Sequence, residues 1–569
     1  MSKPTADIHT IEQVEKGHAE HVEDTDSLKQ RDLDVDYDAQ EDQPRVGIRK
    51  LLRRNPSYEF IRDVAKKDQE ELDPVQVRRL EKKLFWLIVP ALCMDYIFYY
   101  VDKTTLSYAA LFGIREDLGL KGTQYSTLSS IFYVGWLVWA IPGNLLMAKF
   151  PLSKYLAVNI FLWGAFLIAQ GGAKDFKDML ILRIVSGAFE AVAKPGFMAI
   201  TAMWFTRNQQ PIVTGCWYAS QGIGIGLGGM IGYGIGQIKA SIPAWRYEFI
   251  IIGVACAVWG IVMGFIIPDS PYSTKRFTRE EKIVIMSRKR ADYHAVDKRQ
   301  TKWDQVKETA LDVKTYLYFL LGLTANIPNG GTSNFGTLMT RGFGFNTLNT
   351  TLLQIPYGLS QTLFIVAAIW INHKTAKYNI RTYLMAAVTC IPVFGFAMMA
   401  YGQNQGTKLL GYYFTGASNA VFSLSLSIVT GNTGGNTKKL LLSAIIFVGV
   451  GVGNIVGPYA FFEAEAPRYT TGIIVCMISR IAEILVILAL RLTFTIPNKR
   501  RDKLFADGDE RYDPNVTTYE DVTDKQNLHF RYLSTLASSS PVLAPHKPAQ
   551  AGLEKQAWQR PPFAHLGSW

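Results

Sequence analysis

The sequence predicts an all-α integral membrane protein with twelve transmembrane helices in two six-helix, pseudo-symmetric bundles. Three observations predict it. Apolar residues gather into about a dozen blocks of roughly 20 residues, the length that carries a helix across ~30 Å of hydrocarbon. Lys and Arg flank these blocks in alternate connections, the pattern that holds loops on the cytoplasmic side. A long basic loop after Pro268 divides the blocks six and six, and the two sets echo each other.

The spans follow in order. The first is expected near 84–108, preceded by Arg78, Arg79, Lys82 and Lys83. The second and third, near 125–148 and 153–172, enclose Lys149 and Lys154, and the fourth, 179–205, runs up to Arg207. The fifth and sixth lie near 212–237 and 246–267, and the loop 272–307 then holds eleven Lys and Arg. Spans seven to nine, near 314–336, 349–371 and 381–402, carry His373, Lys374, Lys377 and Arg381 between the last two. Lys438 and Lys439 separate the tenth (409–431) from the eleventh (440–461), and Lys499, Arg500, Arg501 and Lys503 follow the twelfth (471–494). All of these basic groups share one side if both termini are cytoplasmic; Lys174, Lys177 and Arg341 are the exceptions. The fifth span reads GIGIGLGGMIGYGIG (222–236), and its counterpart in the second half, the eleventh, reads GVGVGNIVG (449–457).

The expected organisation is a largely disordered N-terminal tail (1–83), a first bundle (84–268), a basic loop (269–313), a second bundle (314–495) and a C-terminal tail (496–569). Residues 1–44 are acidic and lack apolar periodicity, and so predict disorder and no cleavable signal peptide. RVGIRKLLRR (45–54) suits an anionic membrane surface or a solvated helix, and 534–569 is a Ser-, Ala- and Pro-rich tail.

The composition excludes several classes. The net charge of +12 has a topological explanation, so no nucleic-acid partner is expected. Five scattered cysteines form no CxxC pair or His/Cys cluster, and no metal or cofactor is implied. HExxH, GxSxG and a Walker lysine motif are absent, so neither an enzyme nor an ATP-driven pump is expected. A nominal GxGxxG at Gly224, Gly226 and Gly229 lies inside a span, where small residues at i, i+4 let helices approach closely.

Charges inside the spans are the candidate site. Arg183, Glu190 and Lys194 fall at i, i+7 and i+11, within roughly 20° of one another on a helix. Charge at membrane depth should face protein or a water-filled cavity. Glu190 and Lys194 can form a structural ion pair. Alternatively, Lys194 and Arg183 attract an anionic substrate while Glu190 binds and releases protons. Pro195 predicts a local disruption of the helix beside them. In MDYIFYYVDK (94–103), Asp95 and Asp102 share a face, and Tyr96, Tyr99 and Tyr100 either line a pathway or anchor the interface. Asn326, Asn329 and Asn334 in span seven, Gln354, Tyr357 and Gln361 in span eight, and Asn432 and Asn454 are further candidates, each alone equally suited to a helix–helix hydrogen bond. Arg480 and Glu483, at i, i+3, are read as a local pair.

Several stretches, in this order and spacing, resemble fungal major facilitator superfamily carriers of the anion:cation symporter group, the allantoate permease family. They are YYVDKTTLSYAA (99–110), FYVGWLVWAIPGNLLM (132–147), RIVSGAFEAVAKPGFMAITAMWF (183–205) and WRYEFIIIG (245–253). PDSP (268–271), FTREEK (277–282), GNTGGNTKK (431–439) and YEDVTDKQNLHFRY (519–532) complete the set. The resemblance implies one central cavity, alternating access and proton-driven uptake of a small organic anion such as allantoate, ureidosuccinate, a nicotinate-like carboxylate or a small peptide. Asp102, Arg183, Glu190, Lys438 and Lys439 match its motif positions. The chain departs from it at AKFPLSKY (148–155), at Val213 and at Lys194. The expected substrate and proton pathway is Asp95, Asp102, Arg183, Glu190, Lys194, Asn326, Gln354, Tyr357 and Asn454. The expected partners are a small molecule, the proton and the lipid bilayer, with a monomer in the plasma membrane. A carrier of a zwitterion or cation such as cysteine or thiamine, or a nutrient receptor signalling through its tails, is the alternative.

Overall fold

A computed structural model describes residues 74–506 and 521–532, apart from 207–208, 240, 272–273, 294–301, 376–377, 379 and 528–529. The expectations for 1–73 and 534–569 lie outside the described residues. The described residues form a small unit, Arg279–Ser287, which is one helical stretch, and a main unit holding the rest.

Twelve helical spans build the main unit. They are α1 (Pro74–Leu111), α2 (Gln124–Met147), α3 (Leu152–Gln170), α4 (Phe176–Glu190, then Ala193–Trp204), α5 (Gln210–Ile235) and α6 (Ala244–Ile266). The second set is α7 (Val313–Gly342), α8 (Thr347–Leu352, then Gln354–Lys374), α9 (Arg381–Tyr401), α10 (Gln405–Phe414, then Ser418–Gly431), α11 (Asn436–Val456) and α12 (Thr470–Ala506). Two ends differ from the sequence expectation. α1 starts at Pro74 rather than near 84, because a proline at a first helical position forfeits no hydrogen bond. α12 runs on to Ala506 through a basic stretch that needs no apolar surroundings. The loop between the bundles also contains a helix, Trp303–Leu311.

Eight of the helices are long and apolar enough to cross a membrane by length and composition. The four spans that fall short are α4 and α10, each broken in two, α5, rich in glycine, and α7, rich in Asn, Thr and Gly. All four contribute residues to the central cavities described below. Their polarity is therefore the mark of a face turned inward rather than toward lipid.

Glycines set the closest helix approaches. A side chain at Gly222 of α5 would come within 2.1 Å of the Gly358 carbonyl of α8, and the reverse is equally true. The same kind of contact joins α7 to α11, where Gly322 faces the Ile446 carbonyl and Gly449 faces that of Phe319. Without a hydrophobic drive between helices in lipid, such contacts let backbones pack and gain dispersion energy.

The near face is the one where α1 begins. At the far face the two halves are joined. The Ser107 and Thr337 hydroxyls lie 2.7 Å apart, Tyr125 donates to the Asn334 carbonyl at 2.7 Å, and Ser130 donates to that of Ile455 at 2.6 Å. Arg115 stacks over Tyr125, 4.1 Å from the ring centre. The cavity is thus shut toward the far face.

At the near face, residues 521–527 and 530–532 form a strap over the second bundle. Asp524 is buried and meets Lys314 at the foot of α7 and Lys438 at the foot of α11, the latter at 2.9 Å. Lys438 also contacts Glu308 at 2.7 Å and Asp312 at 2.8 Å. Tyr532 donates to Asp524 at 2.5 Å and stacks on Phe494 of α12. Burial alone would raise the Asp524 carboxyl, but Lys314 and Lys438 outweigh it and hold it down to about 2. Burial is likewise outweighed by the two lysines at Asp312, whose carboxyl is lowered and also caps α7 by accepting from the Lys314 amide.

Candidate functional site

Two adjoining cavities lie between the bundles and share Tyr100, Lys103, Asn329, Ser418, Asn419 and Arg480. Lysines 103 and 194 reach the second cavity, Lys103 and Arg480 reach both, and among the described residues no Asp or Glu lines either. The Lys194 ammonium sits over the Tyr99 ring at 4.7 Å and that of Lys103 over Tyr100 at 5.2 Å. Among the described residues no carboxylate closes to ion-pair distance on either lysine.

The expected charged stripe is altered. α4 breaks at Ala191–Val192, one turn ahead of Pro195, which has no N–H to give the Ala191 carbonyl. Glu190 ends one piece and Lys194 lies in the next, so the three charges do not share one continuous helix. Only Lys194 lines a cavity. Glu190 is buried and faces the Tyr99 hydroxyl, within electrostatic reach of Asp102, Lys194 and Lys103. Its Oε2 has no hydrogen-bond partner. Arg183 donates to the Leu128 carbonyl at 3.4 Å and stacks over Phe132 of α2, with Asp102 and Glu190 as its charge neighbours.

The two aspartates of α1 face away from the cavities. Trp163 of α3 donates to Asp102 at 2.8 Å, and Trp259 of α6 donates to Asp95 at 2.6 Å. Each carboxylate keeps one buried oxygen without a partner. Asp95 stands apart from the Glu190 cluster, whereas Asp102 belongs to it.

The polar candidates converge from the second bundle. Asn329 donates to Asn454 at 3.0 Å, and Asn454 donates to Asn326 at 3.3 Å, so α7 and α11 present one amide cluster to the second cavity. In the first cavity Tyr412 donates to Gln354 at 2.9 Å, and Tyr357 stacks on Tyr412 with ring centres 4.2 Å apart. Asn419 and Gln221 both donate to Gln361, which thereby links the two bundles at mid-depth.

Two charged cavity residues were not among the sequence candidates. Lys103 follows Asp102, and the divergence of adjacent residues on a helix sends Asp102 to Trp163 and Lys103 into the cavity. Arg480 does form the expected pair with Glu483, at 2.6 Å, but it also lines both cavities. Its spacing to Glu483 carried no sign of that second role.

Two helical bundles around a polar cavity shut toward one face form an architecture shared by many secondary transporters. The Major Facilitator Superfamily sequence model matches residues 92–458, more than half of the chain. An uncharacterized transporter of Schizosaccharomyces pombe is 33% identical over 90% of this chain and 98% of its own length. The allantoate permease of Saccharomyces cerevisiae is 32% identical over 81% and 87%, and a thiamine pathway transporter of the same yeast 28% identical over 81% and 87%. A bacterial homologue of the lysosomal transporter Spinster shares the fold, with a TM-score of 0.55 at 12% identity over 74% of this chain and 96% of that one. The chain belongs to the major facilitator superfamily, among fungal transporters that resemble allantoate permease, and its relatives are carriers rather than enzymes.

Proposed function

We propose that the chain is a secondary carrier that couples uptake of a small organic anion to protons by alternating access. The substrate class is allantoate, ureidosuccinate, a nicotinate-like carboxylate or a small peptide. The observation that carries this reading is the pair of cavity ammonium groups, Lys103 and Lys194, with no carboxylate at ion-pair distance among the described residues and Glu190 within electrostatic reach of both. Two like charges in a protein cavity repel unless an anion joins them, and the same charges repel a cation such as thiamine. Its similarity to allantoate permease supports the same class. The bundles 84–268 and 314–495 rock about the cavity, joined by the 269–313 loop, with both termini cytoplasmic in the plasma membrane. Glu190 takes part in proton coupling, since it lies beside Lys194 with a carboxyl oxygen free. Asp102 and Arg183 modulate its charge.

The test is the external pH of unbuffered fungal cells expressing the protein, against an empty-vector strain, as single small carboxylates, ureides, vitamins and amino acids are added. Alkalinisation on one anion is the expected result. Glu190→Gln should abolish accumulation of that compound at unchanged surface level. Accumulation equal to wild type in this variant removes Glu190 from the mechanism. Uptake of a cation with no response to any anion overturns the anion reading.

A further inference from the structure

The second bundle contains an ion pair with an arrangement unlike that of the first. Arg480 and Glu483 are both fully buried on α12. Arg480 donates to Glu483 at 2.6 Å and to the Ala325 carbonyl of α7 at 2.9 Å, while its Nε has no partner. It lines both cavities, whereas Glu483 lines neither. Glu483 keeps Oε1 without a hydrogen bond, and among the described residues its one charged neighbour is Arg480. The titratable groups facing Arg480 are Tyr357 from α8 and Cys476 one turn back on α12, with Lys103 and Lys194 across the second cavity. α7 offers it the neutral Ala325 carbonyl, and Asn326 borders the same cavity.

We propose that Arg480 and Glu483 form an exchangeable pair that binds the anion and a proton together, an inference that rests on the anion-carrier reading. The incoming carboxylate takes over the Arg480 guanidinium through charge-assisted hydrogen bonds, and the Arg480–Glu483 contact breaks. Glu483 is then a buried carboxylate with no cation, a state that costs several kcal/mol. It relieves that cost by accepting a proton from hydronium on the side to which the cavity opens, leaving water behind, so the anion and a proton enter together. On the other side of the membrane Glu483 loses the proton, recaptures Arg480 and expels the anion. The purely structural alternative is a pair that only ties α12 to α7, where Ser479 also donates to the Thr324 carbonyl.

The deciding experiment needs no substrate. Arg480→Gln mimics the diverted arginine in the purified full-length chain in detergent. The proposal expects Glu483 to hold a proton in this variant. Its thermal stability should therefore fall as pH rises from about 5 to about 8, by up to about tenfold in the folding equilibrium per pH unit while the folded state keeps the proton that the unfolded chain has lost. The double variant Arg480→Gln/Glu483→Gln should lose that slope. A single variant that is folded at neither pH, or equally stable at both, overturns the proposal. A second arm uses allantoate as the probe: wild type should take up about one proton per allantoate bound, and Glu483→Gln fewer. Equal proton uptake by both also overturns it. If wild type binds no allantoate, that counts against the substrate class, while the substrate-free arm still decides the pair.

Discussion

The two bundles hold their cavity cations in opposite ways. Lys103 and Lys194 of the first bundle lean on tyrosine rings, with Glu190 in electrostatic reach but no carboxylate at ion-pair distance among the described residues, whereas Arg480 of the second is closed by Glu483 and the Ala325 carbonyl. On the proposed anion-carrier reading, the difference lets one cavity both attract and release its ligand. An unpaired ammonium group attracts the ligand, and a paired guanidinium binds it only by giving up its partner. Binding at the second bundle therefore costs more and is easier to reverse.

The strongest way to break this comparison is to remove the unpaired cations. Lys103→Ala with Lys194→Ala should raise the substrate half-saturation at least ~100-fold, since each charge-assisted bond contributes ~1.5–3 kcal/mol. Surface level is measured alongside, and a half-saturation within a few-fold of wild type would place the anion elsewhere.

Next in size is the charge cluster at the near face, which belongs to the second bundle alone. Asp524→Asn leaves Lys314 and Lys438 under-compensated, and the folded state should lose about 3 kcal/mol, read as a lower unfolding midpoint. The first bundle supplies no member of this cluster, so hydrogen exchange should rise at the feet of α7 and α11 and stay unchanged in α1–α6. A uniform rise would show that the halves unfold together. The pH dependence has a definite sign. Because the carboxyl of Asp524 is lowered to about 2, its contribution is complete above the ordinary carboxylate range and disappears as pH falls through that value. The strap should stay protected from exchange between about pH 8 and about pH 4.

The smallest effect sharpens the comparison within the second bundle. Asn454→Ala removes one member of an amide cluster whose others can still pair, and such bonds in membranes average ~0.6 kcal/mol, so affinity should fall about threefold. A loss as large as that of the lysine pair would make the amides the primary binding group.

The sequence by itself determined the all-helical carrier fold and its spans, because span length follows from the thickness of a bilayer, and its flanking charges carry the expectation of sidedness. It also pointed to Glu190, Lys194 and Asn454, because polar groups are rare at membrane depth. Tertiary structure alone decided which of them share a space. Asp95 and Asp102 share a face in sequence, but neighbouring tryptophans claim both. Lys103 and Arg480 have the look of an interfacial lysine and a local pair until two bundles close around them. The strap residue Asp524 lies 210 positions from Lys314, a distance over which periodicity carries no information. Helical pattern reports which face is polar; which charge finds a partner depends on helices distant in sequence that pack against it, as α3 and α6 do against Asp102 and Asp95.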